Sequence, residues 1–78
     1  MGAGIIKRSV SIAGHRTSIS LEEPFWSELR EIAARSSLSV QALIGRIDST
    51  RGEQNLSSAI RVFVFNDLQE RLSRPDGN

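Results

Sequence analysis

Residues 15–21, with the sequence His-Arg-Thr-Ser-Ile-Ser-Leu, constrain the fold more than any other part of the chain. Apolar and polar side chains alternate here, which is typical of a β-strand buried on one face only. The two faces are Thr17, Ile19 and Leu21 on one side and Arg16, Ser18 and Ser20 on the other. A single strand cannot satisfy its own backbone hydrogen-bonding groups, so it needs a partner strand, either from this chain or from a second copy.

The sequence after the strand predicts three helices, because apolar residues recur there every three or four positions. Pro24, preceded by two glutamates, favours the start of the first helix. Ser39 and Asn55 are suitable N-caps for the second and third helices. Gly45 lies inside the second helix and suggests a close approach of another helix. The predicted helices cover residues 23–36, 40–48 and 56–73.

The segment before the strand allows two interpretations. Residues 5–12 also alternate loosely, and Ala13-Gly14-His15 offers a turn, so the segment can fold back onto the strand as a hairpin. Alternatively it is a mobile arm. We favour the arm, because Gly14 and the serines weaken a strand.

Composition restricts the range of functions. The chain of 78 residues has no cysteine and one histidine, so we expect no disulfide, no metal site and no cofactor. A chain this short buries a modest core, and we expect association to contribute to its stability. No apolar run approaches the roughly 20 residues of a membrane span, so we expect a soluble cytoplasmic protein without membrane contact.

The charges are distributed unevenly. Residues 1–21 contain Lys7, Arg8 and Arg16 without any acid, whereas residues 22–78 hold seven basic and nine acidic side chains. The net charge of +1 therefore hides a positive N-terminal part, where we expect a polyanion to bind.

A strand followed by two short helices resembles the ribbon-helix-helix family of small bacterial DNA-binding proteins. The resemblance covers about residues 16–48. It depends on residues 16–21 for the strand, on Phe25, Leu29, Ile32 and Ala33 for the first helix, and on residues 38–44 for the turn and second helix. The longer form, with a basic segment before the strand and a helix after Asp48, resembles a subgroup of predicted DNA-binding proteins.

This resemblance implies a mainly α fold with one N-terminal β-strand. It further implies an intertwined homodimer with a two-stranded antiparallel intermolecular ribbon, here extended by a third helix. We divide the chain into an arm or short strand at 1–14, the ribbon-helix-helix core at 15–50, and a C-terminal helix and tail at 51–78. The implied dimer core consists of Thr17, Ile19, Leu21, Phe25, Leu29, Ile32, Leu43, Ile44 and Ile47.

The resemblance also implies how double-stranded DNA is bound. The ribbon enters the major groove and presents Arg16, Ser18 and Ser20 to the bases, where a guanidinium can bond bidentately to guanine. The N-terminus of the second helix contacts a phosphate. This contact maps to Ser39, Val40 and Gln41, and we expect Lys7 and Arg8 to add phosphate contacts from the segment before the strand. Ser37 stands where many relatives have glycine, so we expect the turn before the second helix to close differently.

We therefore expect a homodimeric transcriptional regulator, most simply a repressor, that binds a two-fold symmetric operator. One alternative is an antitoxin-like or adaptor protein whose third helix, between Leu56 and Leu72, binds a protein partner. Another is a dimerisation module without a DNA role. We do not expect an enzyme, because the sequence contains no catalytic set and no phosphate-binding glycine loop.

Overall fold

The chain begins with an antiparallel β-hairpin, formed by β1 (Ile5–Ile12) and β2 (His15–Glu22). The structure is a computed structural model and describes residues 4–73. Side chains of directly opposed residues lie on the same face of the hairpin. The register therefore places Ile6, Arg8, Val10 and Ile12 of β1 on the same face as Leu21, Ile19, Thr17 and His15 of β2.

A two-residue turn joins the strands. Ala13 and Gly14 have φ angles of +52° and +83°, so both residues are in the left-handed region. This is the combination that a type I′ turn requires, and its twist matches that of the two strands. Gly14 therefore belongs to the turn and does not weaken a strand. Residues 5–12 form a strand, and our preference for a mobile arm is wrong.

Three helices follow the hairpin: α1 (Glu23–Arg35), α2 (Val40–Thr50) and α3 (Leu56–Ser73). The two predicted N-caps are in place. The Ser39 hydroxyl accepts a hydrogen bond from the Ala42 N–H at 3.0 Å, and the Asn55 side chain accepts one from the Ser58 N–H at 3.2 Å. These caps satisfy N–H groups that have no partner within the helix, and so they fix where α2 and α3 begin.

The turn between α1 and α2 closes with two backbone hydrogen bonds. The Leu38 N–H donates to the Ala33 carbonyl at 2.9 Å, and the Ser37 N–H donates to the Ala34 carbonyl at 3.1 Å. This pair of bonds is the Schellman motif, which needs a left-handed residue after the helix end. Ser37 supplies it with a φ of +59°, in the position that glycine prefers.

The core lies between the inner face of the hairpin and the three helices. Seven of the nine residues that the sequence assigned to a dimer core are buried within the single chain, while Thr17 and Phe25 are partly exposed. The buried set also includes residues that we did not assign to it. These are Trp26, Ala33, Ala59, Ile60 and Val64.

The mainly helical fold with an antiparallel two-stranded element and a third helix is confirmed. The expectation of a single N-terminal strand needs correction, because β2 pairs along one edge with β1 of its own chain. The Ala13-Gly14 turn brings β1 back beside β2, which gives β2 a partner without association.

Parts of α2 and α3 are uncovered in the single chain. Val62, Phe65 and Leu72 of α3 are exposed. A Cβ at Gly45 would have no atom of a neighbouring element within 4 Å, so no other helix within residues 4–73 approaches closely there. Within residues 4–73, no helix is long and apolar enough to cross a membrane.

Candidate nucleic-acid interface

The outer face of the hairpin is polar and carries two cations. Alternation in two strands of fixed register brings six residues from Lys7 to Ser20 onto this face, opposite the core. They are Lys7, Ser9, Ser11, Arg16, Ser18 and Ser20. Ser20 is partly buried and the other five are exposed. None of the six is acidic, and the short serines leave the face open to close approach by a ligand.

Arg16 and Lys7 lie near opposite ends of this outer face. Arg16 is opposite Ser11 close to the turn, and Lys7 is opposite Ser20 close to the helices. Neither cation forms an ion pair with the part of the chain that the structure describes. The three predicted base-contacting residues, Arg16, Ser18 and Ser20, share this outer face. Arg16 is the cationic residue of the face that lies near the turn.

Arg8 lies on the other side of the hairpin from Lys7, although the sequence grouped the two together. Its guanidinium carbon is 5.3 Å from the centroid of the Trp26 ring, a distance typical of a cation–π contact. Trp26 is only 2% exposed, and its indole N–H donates to the Ile6 carbonyl at 3.0 Å. Trp26 thus holds Arg8 at the edge of β1.

The start of α2 lies next to β1. The Ser39 hydroxyl bonds the Ala42 N–H, whereas the backbone N–H groups of Val40 and Gln41 have no partner among the described residues. The Gln41 side-chain oxygen accepts a hydrogen bond from the Ser11 N–H at 3.2 Å. This bond joins the helix start to the hairpin, so two of the predicted phosphate contacts present free donors beside β1.

A cleft of about 370 Å³ opens where β1, α1 and α2 meet. We refer to it as the Arg8–Arg30 cleft, after the two arginines that line it. Its other lining residues are Ser9, Val10, Trp26, Val40 and Gln41. Arg30 was not predicted from the sequence, because it lies on the polar side of α1 and resembles any solvated residue until the packing of α1 against β1 is known.

The backbone of β2 has an unpaired edge. In a hairpin with a two-residue turn, the two residues that flank the turn are hydrogen-bonded to each other. Pairs without and with mutual hydrogen bonds then alternate along the strands, and the residues of a pair without them point their N–H and C=O groups outward, away from the partner strand. For β2 the outward groups are those of Arg16, Ser18 and Ser20, and within residues 4–73 they have no hydrogen-bond partner. An open strand edge is a template for pairing with another strand.

An ion pair fixes the base of the hairpin. The Glu22 carboxylate accepts two hydrogen bonds from Arg61 of α3, and these bonds lower the pKa of Glu22 from its ordinary value. Arg61 also lies over the Phe25 ring, at 5.9 Å from its centroid. The strand end is thereby held against both α1 and α3.

The exposed side of α3 is apolar. Val62, Phe65, Leu68 and Leu72 share one side of the helix, and Phe65 and Leu72 are 56% and 76% exposed. We refer to these four residues as the α3 stripe. A second cleft, of about 390 Å³, lies between α2 and α3 and reaches the stripe at Val62.

Comparison with known proteins places this geometry in a family. The family model for the ribbon-helix-helix domain matches residues 5–68. Among solved structures, an uncharacterized protein from Bordetella pertussis Tohama I is similar, with a TM-score of 0.76 and 35% sequence identity. The alignment covers 97% of this chain and 66% of that protein, so the chain spans just under two thirds of its relative's length. No curated protein matches the chain.

Proposed function

The chain belongs to the ribbon-helix-helix family of DNA-binding domains, and on this premise we propose that it is a sequence-specific transcriptional regulator, most simply a repressor. The observation that carries the proposal is the outer face of the hairpin. It is polar and free of acidic residues between Lys7 and Ser20, and Arg16 on this face has no counter-ion within residues 4–73. Such a face suits the negatively charged major groove, which admits a two-stranded ribbon.

We propose that the functional form is a homodimer joined through β2. The unpaired backbone groups of Arg16, Ser18 and Ser20 would bond to the same groups of a second copy in antiparallel orientation. The dimer would then contain a four-stranded sheet with the two β2 strands at its centre. The two β2 strands would form the intermolecular ribbon, and a β1 strand would flank the ribbon on each side.

The width of this sheet assigns different roles to the strands. Strands lie about 4.8 Å apart, so four of them span about 14 Å between the outer strand axes, whereas the major groove is about 12 Å wide. The central β2 strands therefore enter the groove and present Arg16, Ser18 and Ser20 to the bases. The outer β1 strands lie over the groove walls, where Lys7 meets phosphates. The free N–H groups at Val40 and Gln41, with Ser39 before them, suit a phosphate as well.

Selection of bound sequences from a random pool of duplex DNA tests this proposal. We expect the selected sites to share a two-fold symmetric motif, because two identical halves read it. Affinity for the recovered duplex is expected to fall steeply as salt is raised. Recovery of no preferred sequence would contradict specific readout, and absence of any salt-dependent duplex binding would contradict the DNA-binding role itself.

A second candidate function is that of an antitoxin-like or adaptor protein, in which α3 binds another protein. The observation that favours it is the exposed α3 stripe next to the cleft between α2 and α3, since exposed apolar patches mark interaction sites. Hydrogen exchange of α3, measured with the isolated protein, tests whether the stripe is covered by a second copy. Full protection of the amides along the stripe at dimer-forming concentrations, lost on dilution, would favour the homodimer over a foreign partner.

A further inference from the structure

We propose that the Arg8–Arg30 cleft binds a backbone phosphate of DNA in each half-site, with Arg30 as one of its ligands. The inference rests on the proposed DNA-binding function and adds a contact from α1 that neither the strand nor the start of α2 provides. Three observations support it: the position of Arg8, the weak pairing of Arg30 and the place of the cleft in the fold.

Arg8 is held in position by an aromatic ring. Its guanidinium lies over the Trp26 ring at 5.3 Å, and it has no ion pair within residues 4–73. Trp26 is itself fixed, because it is buried and its N–H bonds the Ile6 carbonyl. A cation that is already oriented loses little conformational freedom when an anion binds.

Arg30 faces the same cleft from α1. Its ion-pair partner is Glu23, at 3.3 Å between Nη2 and Oε2, and both side chains are about half exposed. Exposed pairs of this kind are weak. The guanidinium of Arg30 can therefore turn from Glu23 to a phosphate, which offers it a bidentate partner.

The cleft lies at the edge of β1, next to the outer face of the hairpin. Ser9 lines the cleft and also belongs to that outer face. The bond between Gln41 and the Ser11 N–H keeps the start of α2 at the same edge. In the proposed four-stranded sheet, β1 is outermost, so the cleft meets the groove wall. At the groove wall, the DNA group that the cleft can contact is a backbone phosphate and not the edge of a base.

The salt dependence of binding tests this inference. The probe is the duplex recovered by selection, and the measurement is the slope of log Kd against log salt by fluorescence anisotropy. Each phosphate contact contributes about 0.9 to this slope, so Arg30→Ala in a dimer is expected to reduce it by about 1.8. Arg8→Ala is expected to act in the same way, and both variants should weaken binding to all sequences alike.

Arg46→Ala is the matched control. Arg46 is an exposed arginine of α2 that lines the other cleft, between α2 and α3, so its removal changes the net charge equally without touching the proposed site. We expect this variant to leave the slope unchanged. Glu23→Gln is expected to act in the opposite direction from Arg30→Ala, with several-fold tighter binding, because it releases Arg30 from its ion pair.

Two outcomes separate this inference from the function on which it rests. If the unaltered protein binds the duplex and Arg30→Ala shows the same slope, the inference is wrong and the proposed function stands. If the unaltered protein binds no duplex, both are wrong. Circular dichroism of each variant checks that it is folded. If Arg30→Ala does not fold, Glu23→Gln takes its place as the test, and an unchanged affinity of Glu23→Gln for the duplex would overturn the inference.

Discussion

Glu22 and Arg61 are 39 residues apart in sequence, yet two hydrogen bonds join their side chains, at 2.9 Å from Nε and 3.3 Å from Nη2. The pair connects the last residue of β2 to the N-terminal half of α3. Because Glu22 also directly precedes α1, the direction in which the hairpin leaves the helices depends on this contact. The outer face of the hairpin is therefore oriented partly by a residue of the third helix.

We expect the stability of the fold to depend on the ionisation of Glu22. The hydrogen bonds from Arg61 are the main cause of its lowered pKa, so folding favours the carboxylate. A lowered pKa contributes stability that is present above the ordinary pKa of 4.5 and is lost as the pH falls through the folded value. The urea midpoint of the unaltered protein should therefore decrease more than that of Glu22→Gln between about pH 5 and pH 3. Parallel pH profiles of the two proteins would refute this dependence.

Arg16→Ala is expected to weaken specific DNA binding and relax the base preference at one position of each half-site. A bidentate contact from arginine to guanine contributes about 1–3 kcal/mol of discrimination, which corresponds to about 5–150-fold. The measurement is a gel-shift series with the selected duplex and single-base variants of it. Arg46→Ala removes the same charge away from the hairpin and should keep the full preference. An unchanged preference in Arg16→Ala would exclude Arg16 from base readout.

Ser37→Gly is expected to stabilise the protein by about 1 kcal/mol, because a residue with a side chain pays a penalty in the left-handed region that glycine avoids. The φ of Ser37 is +59° and its N–H already closes the Schellman motif. Urea unfolding measures the change. The neighbouring Ser36 has a φ of −94°, so Ser36→Gly should give no such gain and serves as the control.

Gly45→Ala is expected to stabilise the chain by up to about 1 kcal/mol, the difference in helix propensity between the two residues. The added Cβ would meet no atom within 4 Å in the single chain. This substitution also reports on association. If a second copy packs closely against α2 at this point, the variant would instead shift the dimer towards monomer in sedimentation experiments, and the stabilisation would appear only in the monomer.

The helices could be predicted from the sequence because their signals are local. Ser39 and Asn55 mark the starts of α2 and α3, because each side chain accepts a hydrogen bond from the backbone N–H three positions later. The hairpin was harder to predict, since its turn needs two left-handed residues and Ala13 is a poor indicator of one. Once the turn is known, the alternation of side chains along β1 is enough to place Lys7 on the outer face of the hairpin and Arg8 on the opposite face.

Other parts of the candidate site depend on contacts that no local pattern contains. Arg30 reaches the cleft because α1 packs beside β1, and Trp26 bonds a carbonyl 20 residues away. The exposed side of α3 could not be identified from the sequence for a related reason. Apolar residues lie around the whole helix, so periodicity could not distinguish the side that the core covers, which includes Ile60 and Val64, from the α3 stripe.

The Ala13-Gly14 turn has a consequence for how the protein responds to its own abundance. Because β1 supplies a partner strand from the same chain, the core closes without a second copy, and folding is separated from association. Cooperative thermal unfolding should then persist at protein concentrations too low for dimer formation, unlike that of a dimer whose chains fold only together. Occupancy of a two-fold operator at low abundance would rise with the square of the free monomer concentration. A modest change in expression would thus be amplified at the promoter, without any effector.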